Sequence, residues 1–237
     1  MEKTRLTRAT IGERRKPHPA GQPGLLRLDT VQQGDWDNQK GVSHSKAVEE
    51  ITPFEVVCTV ENISEAALLP ALDELLAACP FLIRGFHSDN GSEYSNGRVA
   101  ALLGQLFIDF TTSRARQTND KALVERKNGA VVQQRYGQAT MPQGWASLIN
   151  VFNQAHLNPS GNFHRPCFFP EIRTDPKGKE RKIYHDDTMM TPYEKLTSLP
   201  QAETHVKPGI TFAILEATAH RLSDHRAADR LQKARQQ

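Results

Sequence analysis

Cysteine is scarce in this chain of 237 residues: Cys58, Cys79 and Cys167 stand far apart, odd in number and without a C-x-x-C pair. That excludes a disulfide framework and gives no zinc-ligand spacing, leaving buried thiols in a reducing compartment. Long apolar runs are missing too, and no stretch approaches the roughly 18 residues needed to span a bilayer. The first twenty residues carry Lys3, Arg5, Arg8, Arg14, Arg15 and Lys16 but no hydrophobic stretch, which excludes a secretory signal. The expectation is a cytoplasmic protein with no membrane partner. G-x-S-x-G and any paired Cys/His context are absent, so a serine or cysteine hydrolase is unsupported. No internal repeat is present.

What the chain does have is segregated charge. The net charge is +3, yet from Arg27 to Glu93 twelve acidic residues face four basic ones. The sign reverses elsewhere. Residues 1–16 hold six basic and two acidic groups, and residues 173–182 hold five and two. Residues 112–135 set Arg114, Arg116, Lys121, Arg126, Lys127 and Arg135 against Asp120 and Glu125. An acidic centre between basic segments suits an enzyme that collects cations at one point and holds a polyanion around it; solvated faces are the plainer explanation. Hydrophobic residues at 38% and charged residues at 24% predict an ordered core with polar extensions.

Residues 1–24 are basic and rich in Pro and Gly, a linker-like segment. GLLRLDTVQQG then has the apolar run and turn signals of a strand. Lys40–Ile51 and Phe54–Val60 read as the next two strands. Ser64 or Asn62 caps a helix through AALLPALDELLAA, where Leu68, Leu72, Leu75 and Leu76 recur at helical spacing and Pro70 falls near the first turn. FLIRGFH is a fourth strand, running into the turn-rich SDNGSE. A helix over 96–106, a fifth strand over 107–110 and a mobile loop TTSRARQTN follow. Asn119 or Asp120 caps a helix through ALVERKNGAVVQQRY, and Trp145–His156 is another. The order βββαβαβα predicts an α/β fold, a mixed sheet covered by helices. After Pro159 the text turns irregular and basic over 158–237, with one very polar helix over 212–232.

Three carboxylates stand where a metal site needs them: Asp29 in a strand, Asp89 just past the end of another, Glu125 in the first turns of a helix. Carboxylate oxygens are the usual protein ligands of Mg²⁺, which takes the rest of its shell from water and substrate phosphates. Two such ions can activate an attacking hydroxyl and stabilise the leaving oxygen of an in-line phosphoryl displacement. Taken singly, an Asp before Asn-Gly is a turn residue and a Glu early in a helix serves the helix dipole.

Together they resemble a family. HSDNGSEY at 87–94 looks like the second-aspartate motif of the integrase core family, found in retroviral integrases and the D-D-E transposases of bacterial insertion sequences. That family places a Glu after 35 intervening residues, and Glu125 follows Asp89 with 35 between them, inside NDKALVERKNG. LRLDTVQQGD resembles the first-aspartate strand, with 59 residues separating Asp29 from Asp89. The match covers roughly residues 22–137, and a core over 25–157 is the expected domain. MTPYEKL further on resembles a phrase common after this core in bacterial transposases.

The resemblance implies a ribonuclease-H-like fold with a five-stranded mixed sheet and two Mg²⁺ or Mn²⁺ ions on Asp29, Asp89 and Glu125. It implies hydrolysis of DNA ends followed by strand transfer into target DNA, by a homo-oligomer in the cytoplasm, associated with the nucleoid. Lys121 shares the helix face of Glu125 and suits a phosphate contact as well as a solvated position. Asn128, at i+3 from Glu125, orients it or meets DNA; Arg114 and Arg116 suit DNA contacts in the loop. Asn90 and Gly91 shape the turn after Asp89. His87 reads as a satisfied structural histidine on the side of Asp89, and Asp35 and Asp37 as exposed turn residues. Family members carry a helix-turn-helix or zinc module ahead of the core, whereas about 24 linker-like residues precede the first motif here. A truncated core is therefore expected, its end recognition supplied by a separate helix-turn-helix protein. The competing readings are an inactive DNA-binding remnant and a ribonuclease-H-like nuclease acting on RNA–DNA hybrids.

Overall fold

The computed structural model describes residues 13–14, 18–37, 39–88, 101, 108–112, 134–137, 139–175, 178 and 180–236. Its main sheet has β1 (Leu25–Gln32), β2 (Ser43–Glu49), β3 (Glu55–Val60), β4 (Gly85–Ser88) and β5 (Asp109–Thr112). A two-residue strand, Glu13–Arg14, runs parallel along the outer side of β5. From that edge the order is Glu13–Arg14, β5, β4, β1, β2, β3. β1, β2 and β3 form an antiparallel meander, while β4 and β5 are parallel to β1. The sheet is mixed and flanked by helices, as the element order predicts.

Side-chain alternation divides the sheet into two unlike faces. One is apolar: Leu26 and Leu28, Ala47, Val56, Cys58 and Val60, and Phe86 all belong to the main core. It is covered by α1 (Glu65–Ala78), the connection from β3 to β4. Ser64 caps α1 by accepting from the Ala67 N–H, and Leu68, Leu72, Leu75 and Leu76 are buried at helical spacing. Each such leucine contributes about 1.5–3 kcal/mol on leaving water. Pro70 falls in the second turn of α1, not the first, and its missing N–H leaves one link of the helical ladder unmade.

The opposite face is polar. Arg27, His44, Lys46, Glu55, Thr59, His87 and Thr111 are all buried on it. Its cover is α2 (Ala146–Phe152), continued by wide π-turns at Asn153–Leu157 and Ser160–His164 around Pro159, which has no N–H to donate. This helix closes the open edge of β3 with amides. Asn150 receives the Thr59 N–H at 2.6 Å and donates to its carbonyl at 2.7 Å. Asn158 does the same for Val57 at 2.9 and 3.2 Å, and Asn162 for Glu55 at 2.7 and 2.6 Å. Gly161 fits beside Glu55 because a Cβ there would meet its carboxylate oxygen at 2.8 Å.

Several boundaries differ from expectation. The second strand is Ser43–Glu49, since Gln39–Lys40 pairs instead with Asp35–Trp36 in a small hairpin. FLIRGFH is strand only at Gly85–Ser88, Phe81 making an isolated bridge to Val206. The fifth strand is Asp109–Thr112, so Thr111 and Thr112 belong to the sheet rather than to a loop. The helices expected over 96–106 and 122–136 lie outside the described residues, apart from Ala101 and Gln134–Tyr136, which are helical.

The C-terminal region is more ordered than its irregular composition predicts. Residues up to His164 remain helical because Asn158 and Asn162 tie them to β3. Beyond comes a hairpin, β6 (Glu171–Thr174) with β7 (Glu180–Ile183). Then follow α3 (Pro192–Thr197), α4 (Phe212–His220) and α5 (Asp224–Gln236), the single polar helix of the sequence pattern being two. MTPYEKL has a local explanation: Thr191 and Glu194 form a capping box with Pro192 at the helix start. No helix among the described residues is long and apolar enough to cross a membrane.

Candidate metal centre

Asp29 is the described member of the expected ligand set. It sits in β1, which has β2 on one side and β4 on the other; its backbone is held in the ladder with β2, one residue past the end of the ladder with β4. By alternation it shares the polar face with Arg27 and lies opposite Leu28, whose side chain is in the core. Its residue is half-buried, and its Oδ1 accepts the Thr30 N–H at 2.9 Å. Across the antiparallel ladder its register partner is Lys46. In the parallel ladder the final pair is Leu28 with Ser88.

Asp89, Glu125, Lys121, Asn128, Arg114 and Arg116 lie outside the described residues, as do Asn90 and Gly91. Among the described residues no group of three His, Cys, Asp or Glu could hold a metal ion. What the structure does supply is the floor beneath Asp29. Lys46 is fully buried, its Nζ 3.5 Å from Glu55 Oε2. Arg27, two residues before Asp29, is buried and paired through both Nε and Nη2 with Glu50. The face is thus built from charges balanced close to their neighbours, and this is how ions are tolerated away from water.

Histidines on this face are structural. His87 is buried and shares a 2.8 Å hydrogen bond through Nδ1 with the Thr111 hydroxyl, in keeping with its sequence reading. His44 lies across from Val31 and contacts the Thr59 hydroxyl at 2.9 Å through Nδ1. Burial lowers its pKa to about 4, so the ring is neutral at physiological pH. Tyr136 stacks on it, centroids 4.3 Å apart and planes within 10°. The Tyr136 hydroxyl donates to Asn153, and burial pushes its pKa up. Residues 134–136 are thereby anchored on the same face as Asp29.

Positive charge gathers nearby. The Arg135 guanidinium is held below its ordinary pKa by burial first, then by Arg165 and Arg235. Asp35 and Asp37 are exposed; Asp37 is at a left-handed turn position, whereas Asp35 is in the small hairpin strand, opposite Lys40, and not in the turn. Cys58 and Cys79 are buried free thiols whose pKa burial raises to about 12, so neither is a nucleophile. The sequence pointed to none of the Lys46–Glu55 pair, the His44–Tyr136 stack or the asparagines on β3. Asparagine recurring at 150, 158 and 162 was the one visible trace.

No family model matches the chain. Over 166 residues it is 28% identical to the uncharacterized protein y4rM of Sinorhizobium fredii, covering 69% of this chain and 47% of that one. The chain thus spans about half the length of the curated relative it matches. Among solved structures it resembles a chain of the simian T-cell lymphotropic virus intasome in complex with PP2A regulatory subunit B56 gamma. The TM-score is 0.51 at 16% identity, over 85% of this chain and 63% of that chain. The HTLV-2 integrase catalytic core domain in complex with magnesium, in its trimeric form, matches with a TM-score of 0.45 at 14% identity, over 67% and 94%. At such identities the likeness is one of fold: the chain has the ribonuclease-H-like architecture of integrase cores.

Proposed function

We propose that this chain is the catalytic core of a DNA-cutting and strand-joining enzyme, with Asp29, Asp89 and Glu125 as its metal ligands. The observation that carries the reading is the Leu28–Ser88 register pair. Asp29 and Asp89 each stand one residue beyond it. Consecutive Cα atoms are about 3.8 Å apart and paired strands about 4.8 Å. Leu28 and Ser88, the residues immediately before the two aspartates in sequence, are therefore neighbours across the ladder.

Glu125 is supported through Tyr136. On a helix, positions eleven apart differ by only about 20° in direction and about 16 Å in height. If the helix expected over 122–136 is formed, Glu125 faces the way Tyr136 faces, onto the polar side of the sheet. The chain leaves the sheet at the end of β5 and is next described at Gln134, whose neighbour Tyr136 stacks over β2. Those strands are three spacings apart, about 14 Å, with β1 between them.

The proposed donor set is oxygen-only, which fits Mg²⁺ or Mn²⁺, and its described member, Asp29, is on a central strand. Two such ions, when held, supply activation of an attacking hydroxyl and stabilisation of the leaving oxygen. The chain's own part is positional. β1 holds Asp29 in the ladder with β2, Lys46 and Arg27 stand on the same face as charges already paired with Glu55 and Glu50, and the arginines at 135, 165 and 235 attract a polyanion. Lys121, Asn128, Arg114 and Arg116 are assigned to DNA. Origin in a bacterial insertion sequence, a homo-oligomeric cytoplasmic enzyme and end recognition by a separate helix-turn-helix chain belong to the same reading.

The test is nicking of supercoiled DNA. Mg²⁺-dependent nicking by the full chain, abolished in Asp89→Asn, is expected. Salt-sensitive binding with no nicking, indifferent to Asp89→Asn, would mark an inactive remnant. Cleavage preferring RNA–DNA hybrids would mark a ribonuclease.

A further inference from the structure

The β6–β7 hairpin is a sheet of its own, and none of its residues belongs to a hydrophobic core cluster. All four residues of β6 are exposed, including Ile172 at 58%. Two strands without a buried face are marginal alone, so core packing gives no reason for this element. Its cross-strand pairing gives a reason against it: Arg173 lies directly opposite Arg181, and like charges so placed repel. Glu171, on the same face, holds Arg173 through Nε and Nη2 at 3.0 Å each, with His185 Nε2 at 3.6 Å from the same carboxylate. Arg181 has no carboxylate partner among the described residues. On the other face Ile172 pairs with Lys182. Exposed Tyr184 and Phe168 meet edge-to-face at the base, centroids 6.0 Å apart.

We propose that this hairpin is a nucleic-acid-binding ribbon, laying Arg173 and Arg181 along the phosphates of duplex DNA. An aligned arginine pair with a carboxylate on Arg173 alone is a surface completed by a polyanion. Guanidinium forks match phosphate oxygens, and a phosphate between them turns the repulsion into attraction. A two-stranded ribbon also has the width that the major groove admits, about 12 Å. Residues 173–182 hold five basic groups against two acidic, and this favours DNA over a protein surface as the occupant.

The inference rests on the DNA-acting reading above but is separable from it. Binding of the full-length chain to a fluorescent duplex of about 30 base pairs is measured by anisotropy over a salt series. Each phosphate contact contributes about 0.9 to the slope of log K against log salt. Arg173→Gln/Arg181→Gln is expected to lower that slope by about 1.8 and to weaken binding about tenfold near physiological salt. Arg226→Gln/Arg230→Gln, which removes the same charge from exposed positions of α5, is expected to change it less. Both pairs are at the surface, so folding is not at stake. An unchanged slope in the hairpin variant overturns the ribbon and leaves the functional reading intact. Equal falls in both variants reduce the effect to net charge and also overturn it. Loss of self-association without loss of DNA affinity makes the hairpin a protein interface. A wild-type chain that does not bind duplex at all ends both readings.

Discussion

His44 carries its titration into the interior. Its imidazole, ordinarily near 6.5, is brought to about 4 by burial beneath Tyr136. Between those values the unfolded chain binds a proton that the folded chain refuses. Stability from this group is therefore complete above about pH 6.5 and is lost as the pH falls towards 4. The urea midpoint of the wild type should drop between pH 7.5 and pH 5 by more than that of His44→Gln. Parallel pH profiles would show that the buried ring is not the source. Lys46 meets the same desolvation with the opposite outcome: an ammonium out of water persists because Glu55 lies 3.5 Å away. Alternation along SHSKAVE places Lys46 on a sheet face, but which face would be charged could not be read from a strand buried on both sides.

At the scale of elements, β3 shows how an edge is closed without another strand. An exposed edge offers unpaired N–H and C=O groups to any passing chain. Here three asparagines take both groups of Thr59, Val57 and Glu55 in turn. Asn158→Leu should strand the Val57 pair, at about 1–3 kcal/mol for each group left without a partner, and should expose an edge that promotes association. Urea unfolding and light scattering read the two effects. A loss well under 1 kcal/mol would mean that water replaces the amide. Local signals were legible at this scale: Ser64 and the leucine spacing defined α1, an apolar run with turn signals marked β1, and the β-formers of FEVVCTV marked β3. The extension of the α2 helix past Pro159 was not, because tertiary bonds to β3 override the local helix-breaking tendency of proline.

The whole molecule joins an apolar sheet face to a charged one, and the proposed function lives on the second. If Asp29 helps to hold divalent ions that only the folded chain binds, Mg²⁺ must stabilise that fold. At a hundred times its dissociation constant the gain is about 2.7 kcal/mol. The wild-type melting temperature should rise with Mg²⁺, and that of Asp29→Asn should rise much less. Equal shifts would detach the ion from Asp29 and with it the site as drawn. The topology also explains why ligands so distant in the chain are compatible with one centre. β1 pairs with the rest of the meander on one side and with the parallel strand β4 on the other, and Asp29 lies one residue past the end of the β4 ladder.

Sequence alone determined the order of the strands, the helix between β3 and β4, the mixed character of the sheet, and a spacing of Asp29, Asp89 and Glu125 that resembles the integrase core family's. Those are properties of local pattern and of distance along the chain, which a linear text carries. Only the tertiary structure decided which face of the sheet is charged, that Leu28 pairs with Ser88, and that asparagines close β3. These depend on which segments meet across a hundred positions, where burial and hydrogen bonding are settled by partners that no local window contains.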